Sequence, residues 1–301
     1  MAKREYFSEY HPAVGFAFFA SVLLFSMCWM HPLYLAITLF GASAYQIRLK
    51  GFRAAARSMR YLLPAAVLTA LLNALLGYTG STVLFSLPWG KAVSAEALLF
   101  GTAAAVMLIS SLQWFACCSA VMSADKWLNL FGRRMPTLSL LLSMTARMLP
   151  LLGSRLRAMA EAQRSMGRET ERGRFDLRLR RAVAMLSALI SWSMESAVET
   201  ADSMKSRGYG LPGRTSFAVY RLDRRSRMML IWIICCSGIL FAGWLRGGMT
   251  WEYYSMSPPA AVTPLSTGCA AVYLALCLTP TAVNLRCRRR QKRRERGGEK
   301  R

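Results

Sequence analysis

Acidic residues and histidine are scarce in this chain: 15 Asp and Glu stand against 39 Lys and Arg, and histidine occurs twice. Each scarcity removes a class of chemistry. His11 and His31 both precede proline, and no two of the eight cysteines are separated by the two residues that a zinc ribbon or redox motif uses. Cys28, Cys117, Cys118, Cys235, Cys236, Cys269 and Cys277 lie inside apolar runs, and Cys287 sits in a basic one. They read as small hydrophobes, neither disulfide partners nor metal ligands. Asp125, Glu161, Glu195, Glu199 and Asp202 have no second convergent group, so they read as solvated or paired faces, not as acid–base machinery. A phosphate-cradling Gly-Lys-Thr loop is also missing, which argues against ATP hydrolysis by this chain. No catalytic, metal or cofactor-binding residue is assigned.

What the chain has in quantity is apolar surface and positive charge. Hydrophobic residues make up 54% of it, and the formal net charge is +24. The two separate along the sequence: residues 13–30 carry no formal charge, and arginines crowd the connections. A bilayer core needs roughly 17–25 helical residues per crossing. Six segments qualify as candidates, at 13–30, 33–47, 61–77, 92–118, 228–245 and 260–281. The second and third are short and are expected to use Tyr34, Tyr45, Tyr61 and Tyr78 as interfacial residues. Pro64 is expected in the first turn of the third, where a missing donor is tolerated. Asn73, inside the third, marks either a transport path or a helix–helix hydrogen bond.

Positive charge orients these segments. Lys3 and Arg4 precede the first, and Arg48, Lys50, Arg53, Arg57 and Arg60 lie between the second and third. The intervening loops carry little: none in 29–32, Lys91 in 78–91, Arg246 and Glu252 after the fifth. Basic and nearly neutral connections alternate, which places both termini and the large insertion in the cytoplasm. The N-terminal stretch shows no convincing cleavage site and reads as a retained first helix. The organisation is all-α: a polytopic helical membrane protein with about six crossings. Residues 1–120 hold about four transmembrane helices, 121–227 a cytoplasmic insertion, 228–285 about two further helices, and 286–301 a basic cytoplasmic tail. Without interleaved aromatics the tail suits anionic lipid better than nucleic acid.

The insertion is too charged to be simply membrane. Ser123-Ala124-Asp125-Lys126 reads as a helix start. A long helix follows from Pro136, with Leu138, Leu141, Thr145, Met148, Leu152, Leu156, Met159 and Gln163 at helical spacing and Pro150 as an expected kink. It ends near Gly167, and 169–173 is a charged turn. In the next helix, Val183, Leu186, Ile190, Met194, Ala197, Ala201 and Met204 make one apolar stripe. Ser187, Ser191, Glu195, Glu199 and Asp202 make a polar one. That helix stops at Ser206-Arg207-Gly208-Tyr209-Gly210, where Gly208 is suited to a left-handed stop and Arg207 to its tip. The plain alternative is an ordinary cation at a helix C-terminus.

Those residues, with Pro212-Gly213-Arg214-Thr215, Ser123-Ala124-Asp125-Lys126, Leu140 to Met144, Arg147 and Pro150, resemble the transmembrane T component of energy-coupling factor (ECF) transporters, the EcfT/CbiQ-like proteins. The likeness is strongest over about 113–227. In that family two cytoplasmic coupling helices each end in a short Ala-Arg-Gly-like motif. Ser206, Arg207 and Gly208 match the second motif. The first falls at Ser165, Met166 and Gly167, with methionine in the arginine's place. Three readings stay open there: Arg164 or Arg168 supplies the charge, the contact is apolar, or the register differs by one.

The resemblance implies a coupling subunit of a prokaryotic plasma-membrane importer. Its partners would be two ABC-type ATPases that use ATP, a membrane S component that captures a vitamin or metal ion, and the bilayer; nucleic acid is not among them. The arginine ends would dock on the ATPases, and the apolar helix faces would hold the S component. Two rivals belong to other classes. A membrane insertase would use its basic tail on ribosomal RNA. A lipid-modifying enzyme would need carboxylates or histidines clustered inside a span, and the spans are almost bare of both.

Overall fold

A computed structural model describes residues 7–76, 82–86, 92–123, 126–127, 129–130, 136–167, 175–209, 211, 222–247, 253 and 264–298. Among the described residues eight α-helices are assigned: α1 (Pro12–Cys28), α2 (Pro32–Lys50), α3 (Phe52–Leu76), α4 (Ala95–Val121), α5 (Pro136–Ser165), α6 (Phe175–Ser206), α7 (Arg224–Leu245) and α8 (Pro264–Gly298). Between α3 and α4, β1 (Val83–Ser86) and β2 (Ala92–Ser94) pair antiparallel, Phe85 opposite Val93. The chain forms two compact units, one of residues 1–126 with 220–301 and the other of residues 127–219. Among the described residues four helices are long and apolar enough to cross a membrane: Phe52–Leu75, Ala95–Val121, Arg224–Leu245 and Ser266–Cys287. α1 is a shorter apolar helix of 17 residues. The protein is a polytopic helical membrane protein.

The larger unit is organised around α1, α2, α4 and α8. Both His-Pro pairs start helices, for physical reasons that the sequence carries. Proline at the first helical position gives up a donor that is orphaned there in any case. The preceding imidazole caps the next one: Nδ1 of His11 accepts from Ala13 N and Nδ1 of His31 from Leu33 N, each at 3.2 Å. The interior is aromatic. Phe18 and Phe19 from α1 pack edge-on against Trp114 of α4, and Tyr45 of α2 stacks on the same indole at 6.1 Å between centroids. A second cluster gathers Phe25, Trp29, Tyr34 and Tyr273. Such pairs contribute about 0.5–1.5 kcal/mol each beyond the area they bury. Polar pairs stitch the same helices: Thr38 Oγ1 meets Tyr273 OH at 2.8 Å, and Tyr34 OH donates to Ser266 O at 3.0 Å. In a lipid surround such bonds and close packing hold helices together, since burial of apolar surface gives no advantage over lipid tails. α3 and α4 approach closely at Gly101, where an added Cβ would lie 2.7 Å from the Ala70 carbonyl oxygen on α3.

α3 and α7 turn apolar residues outward. Val67, Leu68, Leu71 and Leu72 on α3, and Ile231, Trp232, Ile234 and Phe241 on α7, are exposed, as lipid-facing side chains are.

Several expectations are corrected. α3 begins at Phe52, so Pro64 lies well inside the helix, not in its first turn. The run from Arg53 to Arg60 is rich in alanine and arginine, good helix formers, and propagates the helix upstream of the apolar segment. Tyr34 and Tyr45 are fully buried in the two aromatic clusters, while Tyr61 is exposed. Asn73 Nδ2 donates to Thr69 O at 3.0 Å within its own helix. Cys117, Cys236, Cys269 and Cys277 are buried, yet Cys28 and Cys235 are exposed on the outer surface of the apolar helices. α8 does not stop at its span; it continues helically through the basic run to Gly298. Tyr78, Asp125, Arg168, the charged turn 169–173, Gly210 and the continuation 212–215 lie outside the described residues.

Candidate coupling site

The smaller unit contains α5, of 30 residues, and α6, of 32, and the expected boundary of each is met at its C-terminus. α6 ends in a complete Schellman turn. Gly208 has φ +76°, its N–H donates to Lys205 O at 3.0 Å, and Tyr209 N–H donates to Met204 O at 3.0 Å. Arg207 therefore occupies the cap position, exposed, between the last helical residue and the left-handed glycine. A cation there also meets the negative end of the helix dipole.

α5 ends the same way. Gly167 has φ +71° and its N–H donates to Arg164 O at 2.9 Å. Serine closes each helix, and each hydroxyl bonds back three residues: Ser165 Oγ to Ala162 O at 2.8 Å, Ser206 Oγ to Ser203 O at 2.9 Å. Met166 and Arg207 are thus equivalent in backbone position, and Met166 is 59% exposed. Arg164 sits in the last turn of α5, exposed, two residues before that cap.

The two tips are separate places. Phe175 to Ser206 spans about 46 Å at 1.5 Å per residue. The stretch from Gly167 to Phe175 reaches at most about 28 Å. Gly167 and Gly208 are therefore held apart by a margin on the order of 10 Å or more.

Between the tips the helices are apolar on two sides. Met185, Leu189, Trp192 and Ser196 on α6 are half-buried, and the Arg155 guanidinium of α5 lies 4.8 Å from the centre of the Trp192 ring. Cation–π contacts of this kind contribute about 0.5–2 kcal/mol. The stripe Val183, Leu186, Ile190 and Met194 is on the other side and is exposed, together with Leu141, Leu142 and Leu149 of α5. The regular stripe in the sequence is therefore not the one that α6 half-buries. The inner side was harder to see because Trp192 and two serines interrupt it.

Further residues hold the chain on either side of this unit, and the sequence reading passed over their role. Lys126, the last residue before it, is buried, and Nζ donates to Ser8 Oγ at 2.6 Å and to Val121 O at 2.8 Å. Ser226, shortly after it, accepts from His11 N at 3.4 Å. Phe7 N donates to Asn284 Oδ1 of α8 at 3.1 Å. One short N-terminal segment, residues 7–11, thus ties the two points where the chain leaves and re-enters the larger unit.

Over 110 residues the chain is 33% identical to the energy-coupling factor transporter transmembrane protein EcfT of Listeria innocua, a stretch that makes up 36% of this chain and 41% of that protein. It is 29% identical over 116 residues to EcfT of Lactobacillus helveticus, and 30% identical over 118 residues to EcfT of Exiguobacterium sibiricum. Over those residues the chain is EcfT-like. The matched part spans 41–44% of the length of these curated relatives. No protein-family model matches the chain. The EcfT likeness agrees with the resemblance drawn from Arg207 and its neighbours.

Proposed function

We propose that this chain is the T component of an ECF-type importer in a prokaryotic plasma membrane, with both termini cytoplasmic. It links two ABC-type ATPases to an S component that captures a vitamin or a metal ion. ATP is hydrolysed in the partner subunits; this chain transmits force. The observation that carries the reading is the pair of matching caps on two long amphipathic helices in an EcfT-like chain. Ser206, Arg207 and Gly208 form one docking tip, and Ser165, Met166 and Gly167 the other. A guanidinium at a rigid cap makes forked, charge-assisted contacts with carboxylates or carbonyls and keeps them through a rocking motion. The exposed apolar sides of α5 and α6 are the surface for the S component. Closing of the ATPase pair moves the tips, and the helices carry that movement to the S component as a rigid-body shift. The reading is tested by purifying the tagged chain in mild detergent and identifying its companions by mass. Two ATPase subunits and a small membrane protein support it. A chain recovered alone, or with ribosomes, opposes it.

A further inference from the structure

We infer that α3 carries a binding site for one anionic phospholipid. Arg53, Arg57 and Arg60 hold the headgroup phosphate, and the apolar side chains that continue their stripe hold an acyl chain. The site lies in the larger unit, and it requires only that the chain sit in a membrane, not that it couple ATPases.

Residues 48–60 gather Arg48, Lys50, Arg53, Arg57 and Arg60 around the sharp turn at Gly51, whose φ is +86°. All of these cations are exposed. Residues 10–95 contain no Asp or Glu, and among the described residues no side chain pairs with any of the cations. At 3.6 residues per turn, Arg53, Arg57 and Arg60 fall in one stripe along α3, and Pro64, Val67, Leu68 and Leu71 continue it within an arc of about 100°. Those four are exposed as well, Val67, Leu68 and Leu71 by more than half. The stripe is on the far side of the helix from Ala55 and Ala66, which are buried, Ala66 against Ala105 and Ile109 of α4. Phe52 and Tyr61, 72% and 75% exposed, flank it on either side, as aromatic rings do at a membrane interface.

Depth in the bilayer decides what meets these charges. From Tyr61 to its end at Leu76 α3 rises about 23 Å, short of a hydrocarbon core of about 30 Å. Arg60, and Arg57 one turn before it, are therefore drawn to the level where acyl chains begin, and an unmatched charge there is costly. A phosphate at that level removes the cost, because a guanidinium makes forked, charge-assisted bonds to it. Arg53 to Arg60 covers about 10 Å of the helix axis, so three long side chains can converge on one headgroup. A soluble anion would satisfy the arginines and leave the apolar continuation of the stripe uncovered. A second apolar helix would cover the continuation and leave the arginines unpaired. A molecule with a charged head and a hydrocarbon tail answers both.

The test titrates the full chain in mild detergent with phosphatidylglycerol, phosphatidylcholine and glycerol 3-phosphate, and native mass spectrometry counts what is bound. Wild type is expected to hold one phosphatidylglycerol about tenfold or more tighter than phosphatidylcholine, and to show no comparable affinity for glycerol 3-phosphate. Combining Arg53→Gln, Arg57→Gln and Arg60→Gln removes that preference. Combining Arg286→Gln, Arg290→Gln and Arg293→Gln, which takes the same charge at the same spacing from α8, keeps it. Unchanged melting temperatures without added lipid confirm folding; should the α3 triple variant fail to fold, Arg57→Gln alone shows a smaller loss of the same preference. An undiminished preference in the α3 variant, an equal loss in the α8 control, or equal uptake of the two phospholipids by wild type overturns the site. Glycerol 3-phosphate bound as tightly as the lipid makes it a site for a free phosphate ester and overturns the lipid. An α3 variant that keeps its lipid but sheds a co-purifying membrane protein gives the face to that protein instead. None of these outcomes bears on ATPase capture, which tests the coupling role separately.

Discussion

Lys126 Nζ lies 2.6 Å from Ser8 Oγ, so the residue that precedes the smaller unit is held by the N-terminal segment of the bundle. The same ammonium donates to Val121 O in the last turn of α4, where helix carbonyls lack partners. The anchor is therefore both a cap for α4 and a fixed point at which the chain departs.

Removing the hydroxyl leaves a buried ammonium one acceptor short. Ser8→Ala is expected to destabilise the bundle by about 1–3 kcal/mol. Thermal unfolding in detergent reads this directly, and an unchanged melting temperature would show that the contact holds nothing. Coupling to ATP should fall in the same variant, because the departure point of the insertion is loosened.

Gln46 predicts the opposite sign. Its side chain is buried in α2, and both amide atoms lack hydrogen-bond partners in the structure. Gln46→Met keeps the shape and removes the unsatisfied groups, so stability should rise by about 1 kcal/mol or more. A fall in melting temperature would mean that the amide serves a bound water or another group.

The two imidazole caps make stability depend on pH. Burial holds His11 and His31 below the ordinary imidazole value near 6.5. The folded chain thus resists protonation more than the unfolded chain does. The associated stability is complete above about pH 6.5 and declines as pH falls through the lowered values. Protonation also removes the Nδ1 acceptor that each cap uses. The melting temperature should drop on acidification from pH 7.5 to 5, and the drop should shrink in His11→Asn with His31→Asn, where asparagine caps without titrating. Identical pH profiles for variant and wild type would contradict this.

Gly208→Ala probes the tip without touching Arg207. A φ of +76° costs a side-chain-bearing residue roughly 1–2 kcal/mol, and the added Cβ would meet Leu211 Cδ1 at 3.1 Å. The last turn of α6 should fray, raising amide exchange at residues 204–209 and weakening ATPase association, with the bundle unchanged. Normal exchange there would show that the cap does not depend on glycine.

The sequence disclosed most about the candidate site. Gly167 and Gly208 stop their helices where glycine's freedom at positive φ predicts, and the apolar runs became helices. It disclosed less about which apolar side faces what. In α6 the clean stripe Val183, Leu186, Ile190 and Met194 is exposed, and the half-buried side is the mixed one that includes Trp192. Periodicity reports an apolar surface, and in a membrane protein lipid, a partner subunit and a neighbouring helix all accept one. Tyr34 and Tyr45 misled for the same reason: an amphipathic ring at the end of an apolar run suits an interface, yet here each ring completes an aromatic cluster. Contacts such as Lys126 with Ser8, 118 positions apart, leave no periodic trace at all.

The most direct test of the account replaces Arg207 by alanine in the assembled transporter and measures ATP-driven solute uptake in proteoliposomes, alongside subunit stoichiometry. Losing one partner of a buried charged contact costs about 2–5 kcal/mol. The account predicts a chain that inserts and binds its S component normally but loses uptake, with the ATPase pair released or uncoupled. Wild-type uptake by an intact Arg207→Ala complex would contradict it.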